Sequence, residues 1–140
     1  MTVLQSGIAT GRLVGGNLAV LASLVGTSVC PNFDGSILFL EEIGEPPYRI
    51  DRCLSQLQLS GALDSVAGVV LGHFTDCEPS CESKDDSPSL RFEQVLEHYF
   101  GGLGVPVVAG VPCGHESPNI TLPLNAMVDL DADGLSLRVT

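Results

Sequence analysis

The chain has 140 residues, 44% of them hydrophobic and 16% charged, enough for one globular domain with an aliphatic core. Seventeen acidic residues against six basic ones give a formal net charge of −11. That balance excludes the Lys/Arg stripe that neutralises phosphates and the basic surface that docks on anionic membranes, so neither nucleic acid nor membrane is an expected partner.

In chain order, "MTVLQSGIATGRLVGG" reads as extended segments broken by glycines. Asn17 is placed to cap a helix over "LAVLASLV", with Gly26 as its stop. That apolar run is too short for the ~20 residues of a spanning helix, and no basic segment precedes it as in a signal peptide. "GSILFLEE" is a continuous aliphatic run, the pattern of a strand buried on both faces, and it ends in Glu41 and Glu42. "PPYRIDRCLSQLQLSG" spaces Ile50, Cys53, Leu54 and Leu57 as a helix, opened by Pro47 and ended by Gly61.

"SVAGVVLG" predicts a second buried strand, and "HFTDCEPSCESKDDSPS" a polar loop. Ser87 and Pro88 open a helix whose apolar face carries Phe92, Val95, Leu96, Tyr99 and Phe100. "VPVVAG" is a third buried strand, and "AMVDLDADGLSLRV" alternates as a β-hairpin around "DADG". Strands alternating with two or three helices and closed by a hairpin predict an α/β domain with a mixed sheet, residues 1–140 forming a single domain.

Several patterns suggest chemistry and fall short. "DLDADG" copies half of a calcium loop, but Thr140 stands where the bidentate Glu belongs, so a hairpin turn is expected. His73, Cys77 and Cys81 have metal-like spacing without a second cysteine pair, so they are read as loop residues and no metal is expected. The glycines of "ATGRLVGGNL" match no phosphate-binding pattern, and no cofactor is expected. They are read as sites of close backbone approach at a strand-to-helix turn. Five cysteines, odd in number and irregularly spaced, predict reduced thiols in a cytosolic setting.

His115, in "GVPCGHESPNITLPLN", follows one buried strand, and Glu41 ends another. Strand ends in an α/β sheet converge at one edge, where sites form. A carboxylate bonded to one ring nitrogen fixes the imidazole tautomer and frees the other nitrogen to take a proton. The alternative is a packed structural histidine, and spacing leaves both open. No G-x-S-x-G elbow supplies a nucleophile. Cys113, two residues from His115, is placed on the same strand face and read as a packed thiol.

Four stretches together resemble one family over nearly the whole chain: "GRLVGGNLAVLASLVGT", "DGSILFLEEIGEPPYRIDRCLSQLQLSGAL", "VAGVVLGHFTDC" and "GVPVVAGVPCGHESPNITLPL". They look like the C-terminal domain of the LD-carboxypeptidases, serine peptidases that include muramoyltetrapeptide carboxypeptidase and the microcin C immunity peptidases. The resemblance implies a swivelling β/β/α domain and a Ser-Glu-His triad at a domain interface. Glu41 maps to the glutamate and His115 to the histidine. The serine and oxyanion hole belong to an N-terminal domain outside these residues, so this chain alone is expected to be inactive.

The implied substrate is a cytoplasmic murein tetrapeptide that loses its terminal D-alanine during wall recycling. A peptide–nucleotide antibiotic, or a purely binding role, is the alternative. Apolar surface bared by a missing domain makes a homodimer an expectation too. Two positions depart from the family pattern: Glu42 stands where aspartate is common, and Asn125 where glycine is.

Overall fold

The computed structural model of the chain describes residues 1–78 and 90–140. Cys81 and the expected Ser87–Pro88 helix opening lie outside these. Among the described residues the elements run β1 (Thr2–Gln5), β2 (Ile8–Asn17), α1 (Leu18–Leu24), β3 (Ile37–Ile43), α2 (Pro47–Leu59), β4 (Gly68–Thr75), α3 (Phe92–Phe100), β5 (Val107–Ala109), β6 (Met127–Asp131) and β7 (Ser136–Val139). No helix among them is long and apolar enough to cross a membrane.

The sheet order is β1-β5-β4-β3-β2-β6-β7. Strands β2 to β5 are mutually parallel, joined by helical crossovers, while β1 and the β6–β7 hairpin add antiparallel edges. Strand β2 is the seam. Its first half, Ile8–Arg12, pairs antiparallel with β6, and its second half, Leu13–Asn17, pairs parallel with β3. The expected α/β class, mixed sheet and terminal hairpin are all present.

Side chains alternate between faces along a strand, and here that alternation builds two cores. Leu38, Leu40, Val69, Leu71 and Val107 face α1, α2 and α3. Ile37, Phe39, Val70 and Val108 face the other way, against Leu13 and hairpin residues Val128 and Leu130. The layers are therefore hairpin, sheet and helices, the β/β/α arrangement expected. Buried on both faces, the first halves of β3 and β4, residues 37–40 and 68–71, are apolar without alternation.

The local signals act as read. The Asn17 side chain accepts from Val20 N at 3.1 Å, capping α1, and Gly26 follows its end at φ 82°. Pro47 begins α2, and Gly61 leaves it at φ 79°. A Cβ at Gly15 would lie 1.8 Å from the Phe39 carbonyl oxygen, so the strand before α1 requires glycine there. The "DADG" segment turns the hairpin, with Gly134 N donating to Asp131 Oδ1 at 2.8 Å. Asn125 adopts φ 67°, left-handed backbone that asparagine tolerates in place of glycine.

Three expectations need correction. Strand β4 runs on through His73, Phe74 and Thr75, which had been placed in a polar loop. Phe74 stacks on Phe92 with ring centroids 4.9 Å apart, an apolar contact that extends the strand. Helix α3 starts at Phe92, with Leu90 and Arg91 before it non-helical and Arg91 N donating to the Gln94 side chain at 3.1 Å. Cys113 is not on a strand with His115, because β5 ends at Ala109. The chain kinks at Gly110, φ 75°, and continues as an irregular loop.

Candidate active site

Glu41 and Glu42 are both buried, 6% and 3% exposed, on a strand otherwise made of apolar side chains. Burying carboxylates is costly unless their oxygens find donors, and each does so on its own face. Glu42 follows Leu38 and Leu40 toward the helices. There it accepts from Asn17 Nδ2 at 2.6 Å, Ala19 N at 2.8 Å and its neighbour Ile43 N at 2.9 Å. Ala19 lies in the first turn of α1, where backbone N–H groups lack partners and negative charge is favoured.

Glu41 follows Ile37 and Phe39 to the opposite face. Its Oε2 meets His115 Nδ1 at 2.7 Å. An ionised carboxylate only accepts, so the Nδ1 proton belongs to the imidazole, and Nε2 is left with its lone pair outward. The His115 side chain is 47% exposed against 8% for Glu41. One end of the pair is anchored in the sheet, and the other is open to a partner.

Glu41 lies on β3 and His115 on the loop that follows β5, and β4 lies between those two strands. The loop after β5 crosses over β4 to reach Glu41, and the crossing explains Gly72. A Cβ there would lie 2.3 Å from the Cys113 carbonyl oxygen and 2.9 Å from the Phe39 ring. One residue on, His73 N donates to that same oxygen at 2.9 Å. The β3–β4 register slips at this point, Leu40 facing Leu71 but Glu42 facing Phe74, so β4 carries one extra residue opposite Glu41. Such a bulge re-aims side chains beside a site.

Gly114 is the last residue before the imidazole, at φ 145°. A Cβ would sit 3.2 Å from Glu41 Oε2 and 3.2 Å from His73 Cβ. Asn119 bonds both polar groups of this glycine: Gly114 N donates to Asn119 Oδ1 at 3.3 Å, and Asn119 Nδ2 donates to Gly114 O at 2.8 Å. His73 itself is largely buried, with Nδ1 3.3 Å from Glu116 Oε1 but poorly aligned for a hydrogen bond.

Cys113 packs against the hairpin-side core. Burial first, and the charge of Glu41 second, push its thiol up, which keeps it protonated and a weak nucleophile. That fits a packed thiol. No cluster of three His, Cys, Asp or Glu side chains able to hold a metal occurs among the described residues. The four residues from Asp131 to Gly134 are absorbed by the hairpin turn, and His73 and Cys77 point to different surroundings.

Sequence reasoning missed Gly72, the bulge beside it and Asn119. Only Asn119 carries a local signal, an amide five residues beyond a glycine in a loop. The division of labour between Glu41 and Glu42 was also available, from strand alternation alone.

The three-layer domain thus carries a buried carboxylate on one strand and a histidine on the loop that crosses its neighbour. The chain belongs to the LD-carboxypeptidase family, whose C-terminal domain matches residues 10–130. It is 44% identical over 126 residues to a protein named as a probable murein peptide carboxypeptidase of Bacillus subtilis, covering 90% of this chain and 38% of that one. It is 33% identical over 138 residues to the microcin C7 self-immunity protein of Escherichia coli, covering 96% of this chain and 38% of that one. The crystal structure of muramoyltetrapeptide carboxypeptidase from Oxalobacter formigenes superposes with a TM-score of 0.83 at 35% identity, over 98% of this chain and 47% of that one. The chain thus spans less than half the length of these relatives.

Proposed function

We propose that this chain is the Glu- and His-bearing half of a serine LD-carboxypeptidase that removes the terminal D-alanine from a murein tetrapeptide during wall recycling in the cytoplasm. The observation that supports it is the 2.7 Å contact between Glu41 and His115 Nδ1, which leaves Nε2 facing outward. A nucleophile is the one part that such a pair lacks. A serine-bearing N-terminal domain supplies it, together with the backbone donors for the oxyanion. The exposed Ile120 and Leu124, 45% and 55% accessible just beyond the His115 loop, give that domain apolar surface to cover. In the same reading the uncovered chain, expressed alone, self-associates and is inactive.

In this reading Glu41 and His115 act as a proton relay for a serine of the other domain. The serine Oγ attacks the carbonyl carbon that precedes the terminal D-alanine, and its proton passes to His115 Nε2. Glu41, already bonded to Nδ1, stabilises the imidazolium and holds the ring in plane with its transfer path. The oxyanion is held by donors of the other domain. As the C–N bond breaks, Nε2 returns the proton to the leaving amine. Water, deprotonated by the same nitrogen, then attacks the acyl-enzyme and releases the shortened peptide and free serine.

His115→Ala in the full-length enzyme tests the reading. Release of D-alanine from tetrapeptide falls by about 10⁴-fold or more with the fold intact; turnover within tenfold of wild type rejects the role of His115. A second reading rests on a solved structure of the microcin C7 self-immunity protein in complex with glutamyl sulfamoyl guanosine, 31% identical to this chain. If full-length enzyme cleaves an aminoacyl sulfamoyl nucleoside and leaves tetrapeptide intact, that substrate class replaces murein while the catalytic pair stands.

A further inference from the structure

Gly114 confronts the site with two opposed demands. The crossing over β4 leaves a side chain there little room, because a Cβ would sit 3.2 Å from the Glu41 carboxylate and from His73 Cβ on a backbone at φ 145° that favours glycine. Yet glycine is the most freely rotating joint a chain can contain. It is placed directly before an imidazole whose direction must be fixed to within a hydrogen bond. No helix or strand constrains it, since the chain from Gly110 to Asn125 has no regular element. His115 is nearly half exposed, so packing does not fix it either.

We infer that Asn119 is the positioning residue for His115, acting as a clamp on the Gly114 hinge. Its amide is the right shape: one oxygen that accepts and one nitrogen that donates, matching the N–H and C=O of a single residue as a neighbouring strand would. Both bonds are present, Gly114 N to Oδ1 at 3.3 Å and Nδ2 to Gly114 O at 2.8 Å. The carbonyl of Gly114 belongs to the peptide plane that carries the His115 nitrogen. Holding that oxygen orients the plane, and with it the direction in which the His115 side chain leaves the backbone.

The clamp is itself anchored. Ile120 N donates to Pro112 O at 2.8 Å, closing the base of the loop one residue beyond Asn119. At the other end His73 N donates to Cys113 O at 2.9 Å, fixing the residue before Gly114 to β4. Asn119 therefore reaches Gly114 from one fixed base, and the hinge is held from both sides. Neither tie touches Glu41 or His115, so their effect reaches the imidazole only through the backbone.

The inference predicts which ring nitrogen carries the proton. Held against Glu41, neutral His115 is the Nδ1–H tautomer, whereas an unconstrained imidazole favours Nε2–H. Ring ¹⁵N shifts of His115 in this chain, recorded above the pH at which the imidazole loses its charge, read the ratio directly. Asn119→Ala shifts the population from Nδ1–H to Nε2–H. Asn119→Asp keeps the acceptor for Gly114 N and loses the donor, giving an intermediate ratio, and it decides the matter should the alanine variant fail to fold. Glu116→Gln, on the same loop without a bond to Gly114, leaves the ratio as in wild type. A wild-type ratio in the folded alanine or aspartate variant overturns the inference.

The consequence for turnover rests on the proposed peptidase reading. In the full-length enzyme Asn119→Ala lowers kcat about 10- to 100-fold with KM within about threefold, because the imidazole is misaimed while the substrate still binds. A lost KM with unchanged kcat counts against the clamp. The tautomer measurement needs no substrate, so it stands even where the reading of the reaction fails.

Discussion

Glu41 and Glu42 are adjacent carboxylates on one buried strand, and they leave it in opposite directions into different employment. Glu42 enters the helical layer and ends in three donors: the asparagine cap and first-turn amide of the β2–α1 junction, and its neighbour's N–H. It fastens the end of β3 to the start of α1. Glu41 enters the hairpin-side layer and meets one half-exposed imidazole brought from 74 residues away. The difference shows how a sheet gives a pair of identical residues two kinds of partner, one of which the proposed function reads as catalytic. The pleat assigns the face, and the face decides whether the partners are backbone amides or a titratable ring.

Neutralising each carboxylate in turn breaks or confirms that division. Glu41→Gln in the full-length enzyme lowers kcat by about 10³–10⁴-fold, the scale seen when serine-protease triads lose their orienting carboxylate. Its urea midpoint moves little, a change within about 1 kcal/mol. Glu42→Ala does the reverse. It strands the donors Asn17 Nδ2, Ala19 N and Ile43 N, and costs about 3 kcal/mol of stability by urea unfolding. Under conditions where the variant is folded, its kcat stays within about tenfold of wild type. Equal effects of the two substitutions on both readouts dissolve the comparison.

Gly72→Ala sharpens the Glu41 side by moving the loop rather than the carboxylate. The new Cβ must displace the Cys113 carbonyl oxygen or the Phe39 ring, at 2.3 and 2.9 Å. Overpacking of this kind costs about 1–3 kcal/mol. The displaced loop carries His115, so kcat in the full-length enzyme falls about 100-fold. An alanine variant with wild-type kcat shows that the crossing tolerates lifting without disturbing the pair.

What could be read from the chain and what could not divides along sequence distance. The cap at Asn17, the turn at Gly134 and the stop at Gly61 depend on neighbours a few residues away, and each was legible. Buried strands were legible as aliphatic runs, and Glu41 as the charge that ends one. The passage of the loop over β4 was not, because it depends on Gly72 meeting Cys113, and no pattern links glycines to carbonyls that far apart. Strand β4 outran its aliphatic signal for a similar reason. Phe74 is kept in the strand by Phe92 of α3, beyond the range of any local pattern. The candidate site was thus visible as two residues, and the geometry that joins them was not.

The smallest effects come from two thiols, one beside each carboxylate. Burial is the main reason both Cys113 and Cys53 are pushed up, with Glu41 adding to the first and Glu42 to the second. Folding therefore holds protons on these thiols that the unfolded chain releases above about pH 8.5. The folded state binds more protons there, so stability falls as pH rises past that value and is unaffected by these groups well below it. Removing a carboxylate relieves only the charge contribution, that of Glu41 at Cys113 and that of Glu42 at Cys53 and Cys77. Glu41→Gln lowers the Cys113 thiol and speeds its alkylation by iodoacetamide at pH 8, leaving Cys53 unchanged. Glu42→Gln, milder than the alanine variant because one acceptor oxygen remains, speeds Cys53 and leaves Cys113 unchanged. Mass-spectrometric rates at each cysteine, well below the unfolding transition, separate the two. Crossed or equal responses mean that the two faces are not electrically distinct, and that the sheet between Glu41 and Glu42 insulates less than the opposed hydrogen-bond sets imply.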